Sequence, residues 1–120
     1  MGHFVGKVKT AWLNHDGAYR RMRLLEDFAY VDKNGDKWLA PKGTIVDGAS
    51  IPKFFWRFIG SPFIGNYRQS SVVHDYLCQK RFASHKIVHN LFAEMIKVEG
   101  VGFFKRKAMS FAVKTLGPKW

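Results

Sequence analysis

Two periodicities of hydrophobic residues divide the chain near residue 46. Residues 1–46 contain short alternating segments separated by turn signals, whereas residues 47–120 contain longer segments in which apolar residues recur every three or four positions. The first pattern is typical of antiparallel strands and the second of helices. We therefore expect one α+β domain over residues 1–120, with an N-terminal antiparallel β-meander followed by about four helices.

The predicted strands are bounded by glycine, proline and asparagine. A long, imperfect alternation and four shorter runs rich in β-branched and aromatic residues predict strands at 4–13, 21–24, 28–31, 37–39 and 44–46. The Asn34-Gly35 pair between two of these runs is typical of a type I′ hairpin turn. Such a turn would join neighbouring strands of the meander.

Helical spacing predicts helices at 51–59, 67–80, 84–98 and 103–116. Ser84 is a suitable N-cap, and Gly100 and Gly117 are suitable C-terminal stops. Phe54, Phe55 and Phe58 belong to an apolar stripe of the first helix, which we expect to face the core. The last helix carries an apolar side made of Phe104, Ala108, Phe111, Ala112 and Leu116.

Composition excludes several classes of protein. With 47% hydrophobic and 16% aromatic residues in 120, the chain can form a core and is not a disordered tail. Cys78 is the only cysteine, which excludes an internal disulfide framework and a cysteine-rich zinc site. No apolar run approaches the roughly 20 residues of a membrane-spanning helix. The first residues lack the apolar core of a secretory signal, so we expect synthesis in the cytoplasm.

The charge is strongly positive and unevenly distributed. The net charge is +11; residues 1–60 carry ten basic and six acidic side chains, and residues 61–120 carry ten basic and three acidic ones. This balance favours a partner rich in negative charge, either nucleic acid, anionic lipid or an anionic envelope polymer. Lys105, Arg106 and Lys107 are the candidates for binding it, because the helix dipole disfavours cations in a first turn.

Two polar clusters interrupt apolar segments and are candidates for chemistry. Asp47 and Ser50 lie at the predicted strand-to-helix junction, and His74 and Asp75 lie inside a predicted helix. Adjacent helical side chains point about 100° apart, so His74 and Asp75 each need a partner from elsewhere. We expect all four residues to converge, since buried polar groups must satisfy one another.

This convergence permits two interpretations. In the catalytic one, His74 is a general base or metal ligand oriented by Asp47, and Asp75 binds a cation or fixes a neighbouring backbone. Ser50, Tyr76 and His89 would then be supporting residues. In the structural one, His74 is a core histidine and Asp75 holds the junction loop against the helix.

Two further spacings allow metal or nucleophile chemistry. His85 and His89 are one helical turn apart and could bind one metal ion, but the Glu of an H-E-x-x-H motif is missing and the pattern favours a solvated pair on a basic helix. Cys78 follows His74 by one turn, which allows a Cys–His nucleophile or simple packing. Neither pattern is specific.

Much of the chain resembles a family of small, mostly phage-encoded proteins known only as a domain of unknown function. That family has T-D-x-A-S-I-P and H-D-Y-L-Y elements. The corresponding stretches lie between Arg20 and Gly117 and read RRMRLLEDFAYVD, APKGTIVDGASIPKFFW, SSVVHDYLC and VHNLFAEMI. This chain departs from the family at Cys78, where an aromatic residue is usual, and at His89, where an acidic residue is usual.

The resemblance implies a phage-encoded protein made in the host cytoplasm. Our favoured hypothesis for its function is a structural or host-interface protein, such as a virion tail component. Its partners would be other phage proteins or an anionic envelope component. One alternative is a small hydrolase of envelope lipid or peptidoglycan that uses His74, Asp75 and Asp47. Its His-Asp pair is locally similar to secreted phospholipases A2, which implies a divalent cation as cofactor. A second alternative is a basic nucleic-acid-binding accessory protein.

Overall fold

The computed structural model describes residues 2–12, 21–46 and 67–120. These residues form six strands and three helices. In chain order they are β1 (His3–Val5), β2 (Thr10–Trp12), β3 (Met22–Leu24), β4 (Phe28–Val31), β5 (Lys37–Ala40), β6 (Ile45–Val46), α1 (Arg68–Lys80), α2 (His85–Val98) and α3 (Phe103–Leu116). The α+β class is confirmed, and each of these helices begins within one residue of its predicted start. The helix predicted at 51–59 lies outside the described residues.

The described strands form two three-stranded antiparallel sheets, so the prediction of one meander is wrong. One sheet has the order β1-β4-β5 and the other β2-β3-β6. The predicted strand 4–13 is divided between the sheets at Gly6, which has a φ of +91°. A Cβ at Gly6 would lie 3.1 Å from the carbonyl oxygen of Asp27, so a side chain there would be both strained and crowded.

The β4–β5 hairpin forms as predicted, but its turn is not type I′. Val31 pairs with Lys37, which leaves a five-residue loop. The Asp32 carboxylate accepts hydrogen bonds from the backbone N–H groups of Asn34 and Asp36, at 2.8 and 3.0 Å. The Asp32 side chain thus acts as the hydrogen-bond acceptor that a backbone carbonyl would otherwise supply. With this loop geometry, only Gly35 in the loop has a positive φ, here +88°.

The helix ends follow local chemistry in most cases. The Ser84 hydroxyl accepts a hydrogen bond from the backbone N–H of Ile87, which confirms the predicted cap of α2. Gly100 follows α2 with a φ of +93°. At Gly117 the backbone leaves α3 in an extended conformation, and glycine is needed there because a Cβ would lie 2.4 Å from the carbonyl oxygen of Val113. The chain therefore turns away after Leu116 and returns towards α2.

The core lies where α1 packs between the sheets and α2. α1 contacts β4, β5 and β6 as well as α2, whereas α3 packs mainly on α2. The core face of α3 consists of Met109, Ala112 and Val113. Of the apolar side predicted for this helix, Phe104, Phe111 and Leu116 are 86%, 61% and 51% exposed. α3 thus has one buried face and one exposed aromatic face.

Candidate functional site

The structure buries His74 at the interface of α1 and α2. Its side chain is 0% exposed, and its Nε2 atom lies 2.9 Å from Nδ1 of His89. The ring of Phe92 packs against the His74 ring with centroids 4.6 Å apart. Because His89 and Phe92 are one turn apart on α2, a single helix face both hydrogen-bonds and packs the imidazole.

The hydrogen bonds fix the tautomers of both histidines. Nε2 of His89 lies 2.8 Å from the carbonyl oxygen of Pro118, which can only accept, so His89 Nε2 carries the proton. In a neutral ring, Nδ1 of His89 is then the acceptor, and His74 Nε2–H donates to it. The backbone carbonyl of Pro118 therefore sets the direction of the hydrogen bond between the two histidines.

Cys78 completes the cluster from α1. Its Sγ atom lies 3.7 Å from Nε2 and 4.0 Å from Nδ1 of His74, as expected for side chains one helical turn apart. Burial raises the pKa of the Cys78 thiol to about 12; the charge of Asp75 adds to this effect and Arg81 opposes it. The thiol is therefore protonated at neutral pH.

Burial also keeps both imidazoles neutral. Removal from water, with a smaller contribution from His89, lowers the pKa of His74 to about 3. Burial lowers the pKa of His89 as well, although its hydrogen bond to Pro118 acts in the opposite direction. A general base must exchange protons with substrate or water, and His74 has no exposed surface from which to do so.

Residues after α3 cover the outer side of the cluster. The indole Nε1 of Trp120 donates to the carbonyl oxygen of Ala83 at 2.7 Å. The Trp120 ring lies edge-on to the rings of His85 and His89, with centroids 6.0 Å apart in each case. The Arg81 guanidinium carbon lies over the Trp120 ring, 5.5 Å from its centroid. The covered, hydrogen-bonded arrangement resembles a core polar network more than an open catalytic cleft.

The predicted catalytic residues are only partly described. Asp75 is 3% exposed on α1. Tyr76, its neighbour, lines a cavity of about 410 Å³ near β6 and packs edge-on to Phe82 at 6.4 Å. Asp47 and Ser50 lie outside the described residues, so their convergence with His74 and Asp75 stays a prediction. The residues that the structure does bring together are His74, Cys78 and His89.

The His85–His89 spacing does not produce a solvated pair. The two rings stack with centroids 6.0 Å apart, but His89 is buried and directs Nδ1 at His74. Chain spacing indicated a partner one turn away, whereas the actual partner is 15 positions distant on another helix. No local signal identifies that partner, because it depends on how α1 and α2 pack.

The three predicted anion-binding residues have different surroundings. Lys105 Nζ lies 6.0 Å from the centroid of the Tyr67 ring. Arg106 and Lys107 both approach the Phe103 ring, at 5.8 and 5.5 Å, and line a cavity between α2 and α3. Their partner-binding role stays a prediction.

Two glutamates that sequence patterns did not single out have structural roles. The Glu99 carboxylate accepts hydrogen bonds from the backbone N–H groups of Gln69 and Ser70 at 2.9 Å, and from the Ser70 hydroxyl at 2.6 Å. It thereby caps α1, whose N-cap residue makes no side-chain cap. Glu94 accepts hydrogen bonds from the Tyr30 hydroxyl and the backbone N–H of Lys33. Both glutamates join elements that are far apart in sequence.

A further cavity among the described residues lies away from the histidines. It has a volume of about 620 Å³ and separates α2 from the β4–β5 hairpin. Its two carboxylates, Asp32 and Glu94, are both used by the fold: Asp32 holds the hairpin loop and accepts a 2.9 Å hydrogen bond from Trp38 Nε1. This cavity therefore offers no carboxylate that is available for catalysis.

Comparisons with known proteins identify a family and two relatives. Residues 22–113 match the model of the family described as "Protein of unknown function (DUF1353)". The uncharacterized protein y4jT of Sinorhizobium fredii is 47% identical over 97 residues, which cover 81% of this chain and 29% of y4jT. The uncharacterized protein y4iH of the same organism is 33% identical over 117 residues, 98% of this chain and 48% of y4iH.

The chain thus spans less than half the length of each of these curated relatives. No solved structure matches it. Across the described residues, no helix combines the length and apolar character that crossing a membrane requires. Because the family model covers most of the chain, including the helices that carry His74, Cys78 and His89, the protein belongs to the DUF1353 family.

Proposed function

We propose that this domain is a host-interface module that binds an anionic membrane surface of the cell envelope through α3 and the adjoining side of α2. The observation that carries this proposal is the basic groove, a cavity of about 370 Å³ between the two helices. Four of its lining residues are cationic and none is acidic: Lys97, Arg106, Lys107 and Lys114.

The positive charge extends beyond this groove. A second cavity of about 340 Å³ shares Lys114 and adds Lys86 and Lys119. The ion pair of Lys9 and Glu26 includes no residue that lines either cavity. A basic side chain near an anionic bilayer contributes about 1 kcal/mol, so the four groove residues together favour binding by about 4 kcal/mol, roughly a thousandfold.

An exposed aromatic face lies beside the basic groove. Phe104 and Phe111 are seven residues apart on α3, which places them on one side of the helix, and both are more than half exposed. Lys107 and Lys114, also seven apart, flank them. Phenylalanine beside lysine is typical of helices that lie in a membrane interface, where the rings enter the acyl boundary and the cations meet headgroups.

The closed environment of His74 favours this interaction role over the hydrolase hypothesis. A hydrolase that used His74 would need the ring to contact water and substrate, whereas its side chain is fully buried.

Phage origin and incorporation in a virion tail stay predictions from the sequence analysis. Nucleic acid is the competing partner, because exposed aromatic rings beside cations also suit base stacking.

The test is sedimentation with vesicles of equimolar phosphatidylglycerol and phosphatidylcholine, compared with pure phosphatidylcholine. We expect binding only to the anionic vesicles, weakened by salt, and lost in a Lys107→Glu/Lys114→Glu variant. Lys37→Glu/Lys42→Glu carries the same change of charge on β5 and the loop after it, and should bind as the parent does. Binding to neutral vesicles, or equal binding by both variants, would contradict the proposal. Binding to a single-stranded oligonucleotide but not to vesicles would show that the anionic partner is nucleic acid and not a membrane.

A further inference from the structure

The buried cluster of His74, Cys78 and His89 contains three side chains that are good ligands for a borderline-soft metal ion. Their candidate ligand atoms, one from each residue, all lie within 4.8 Å of one another. Two come from one face of α1 and one from α2, so the packing of these helices assembles the group. Imidazole with thiolate is the donor set typical of Zn²⁺.

One of the distances between these atoms matches a tetrahedral zinc site, and a second is shorter than such a site requires. With Zn–S near 2.3 Å and Zn–N near 2.05 Å, a tetrahedral angle places sulfur and nitrogen about 3.6 Å apart. Cys78 Sγ and His74 Nε2 are 3.7 Å apart. Two zinc-bound nitrogens lie about 3.3 Å apart, whereas those of His74 and His89 are at 2.9 Å. To hold the ion, the two nitrogens would have to separate by about 0.4 Å, and their rings, which now face each other along the hydrogen bond, would have to turn towards it. Cys78 Sγ and His89 Nδ1 lie within 4.8 Å of each other.

A second layer of contacts orients two of the ligands. The hydrogen bond from His89 Nε2–H to the carbonyl oxygen of Pro118 leaves the lone pair of Nδ1 directed at the cluster. Backbone carbonyls commonly orient metal-bound histidines in this manner. The Phe92 ring holds the His74 imidazole from the side.

A cavity on the outer side of α2 reaches one member of the cluster, His89. The cavity of about 340 Å³ that contains Lys114 is also lined by His89 and His85. His85 Nδ1 is buried and has no hydrogen-bond partner within the described part of the chain. An imidazole nitrogen at this position can contact an ion on its way to His89. Of the three proposed ligands, His89 is therefore the one that an ion from solvent would reach first.

We propose that His74 Nε2, His89 Nδ1 and Cys78 Sγ bind one Zn²⁺ ion per chain. When the ion binds, Cys78 loses its thiol proton to solvent and becomes a thiolate. The His74 proton moves from Nε2 to Nδ1, because a neutral imidazole keeps one N–H. The net reaction releases one proton for each ion bound.

The experiment uses the full chain without an affinity tag, titrated with Co²⁺ as a spectroscopic substitute and then with Zn²⁺. We expect one equivalent of Co²⁺ to produce a thiolate-to-cobalt charge-transfer band, which Zn²⁺ abolishes by displacement. Calorimetry in buffers of different ionisation enthalpy should give one proton released per ion. The band should be absent in Cys78→Ser and weakened or absent in His89→Gln.

His3→Gln is the matched control, because His3 is an exposed histidine on β1. It should bind Co²⁺ as the parent does. X-ray absorption of the zinc-loaded parent supplies a measurement that does not depend on the folding of any variant, and should show one sulfur and two imidazole nitrogens. Absence of the charge-transfer band in the folded parent, or a zinc shell without sulfur, would overturn the proposal.

Discussion

The burial of His74 predicts a specific loss of stability in acid. In the unfolded chain an imidazole titrates near pH 6.5, and burial lowers the pKa of His74 to about 3 in the folded protein. Between these values the unfolded state binds the extra proton, so the free energy of unfolding falls as the pH falls. The effect is absent above pH 6.5, where the ring is neutral in both states.

The magnitude follows from the size of the shift. One pKa unit corresponds to about 1.4 kcal/mol, so a complete titration would cost on the order of 5 kcal/mol. Over the range from pH 6.5 to 4.5, we expect this one residue to contribute about 2 to 3 kcal/mol. Among the described residues, His89 and Cys78 are the titratable groups that contact His74. Cys78 stays uncharged in this range. Burial also lowers the pKa of His89, so its protonation adds to the loss of stability in acid.

The assay is urea unfolding at several pH values with a chelator present, comparing the parent with His74→Gln. Glutamine does not titrate, and its amide N–H can still donate to His89. We expect the variant to be less stable at pH 7 but to lose less stability per pH unit. Contributions from other groups cancel in the comparison of slopes, and His3→Gln should keep the parent slope. Equal slopes for the parent and His74→Gln would refute the conclusion that His74 lies in a closed cluster. His74 would then again be a candidate general base.

Three further predictions test other contacts. Glu99→Ala removes the cap of α1 and should cost about 2 to 3 kcal/mol in urea unfolding, whereas Glu26→Ala, which removes only an exposed ion pair, should cost at most about 1 kcal/mol. Gly117→Ala should lower the melting temperature, with a cost of about 1 to 3 kcal/mol from the crowded Cβ; Gly102→Ala, whose Cβ would meet nothing within 4 Å, should change it little. Cys78 should resist a thiol reagent in the native protein and react fully in urea, since its thiol is buried and protonated.

Local chemistry in the sequence was sufficient to predict the helices of the described region. Ser84 and Gly100 mark helix ends through their own side-chain and backbone properties, so no tertiary information is needed. The two-sheet arrangement could not be predicted in this way. β1 pairs with β4 and β3 pairs with β6, across long stretches of chain, and alternation alone does not specify which strands pair.

The same distinction between local and tertiary information applies to the candidate site. His74 and Cys78 could be placed on one helix face by counting, because both lie on α1. Their partner His89 and the carbonyl of Pro118 come from other parts of the chain, and only packing brings them together. The exposed side of α3 was also unpredictable, since the helix packs mainly on α2 and leaves Phe104 and Phe111 uncovered.

The most direct test of membrane binding by α3 uses a single fluorescent label at Ala108, an exposed residue between Phe104 and Phe111. Because Cys78 is buried, an environment-sensitive dye should react only with the new thiol of Ala108→Cys, and Leu39→Cys on β5 supplies the matched control site. With anionic vesicles we predict a blue shift of the dye at position 108 and none at position 39. A bound protein whose dye at position 108 stays in water, or shifts equally at both positions, would contradict the account.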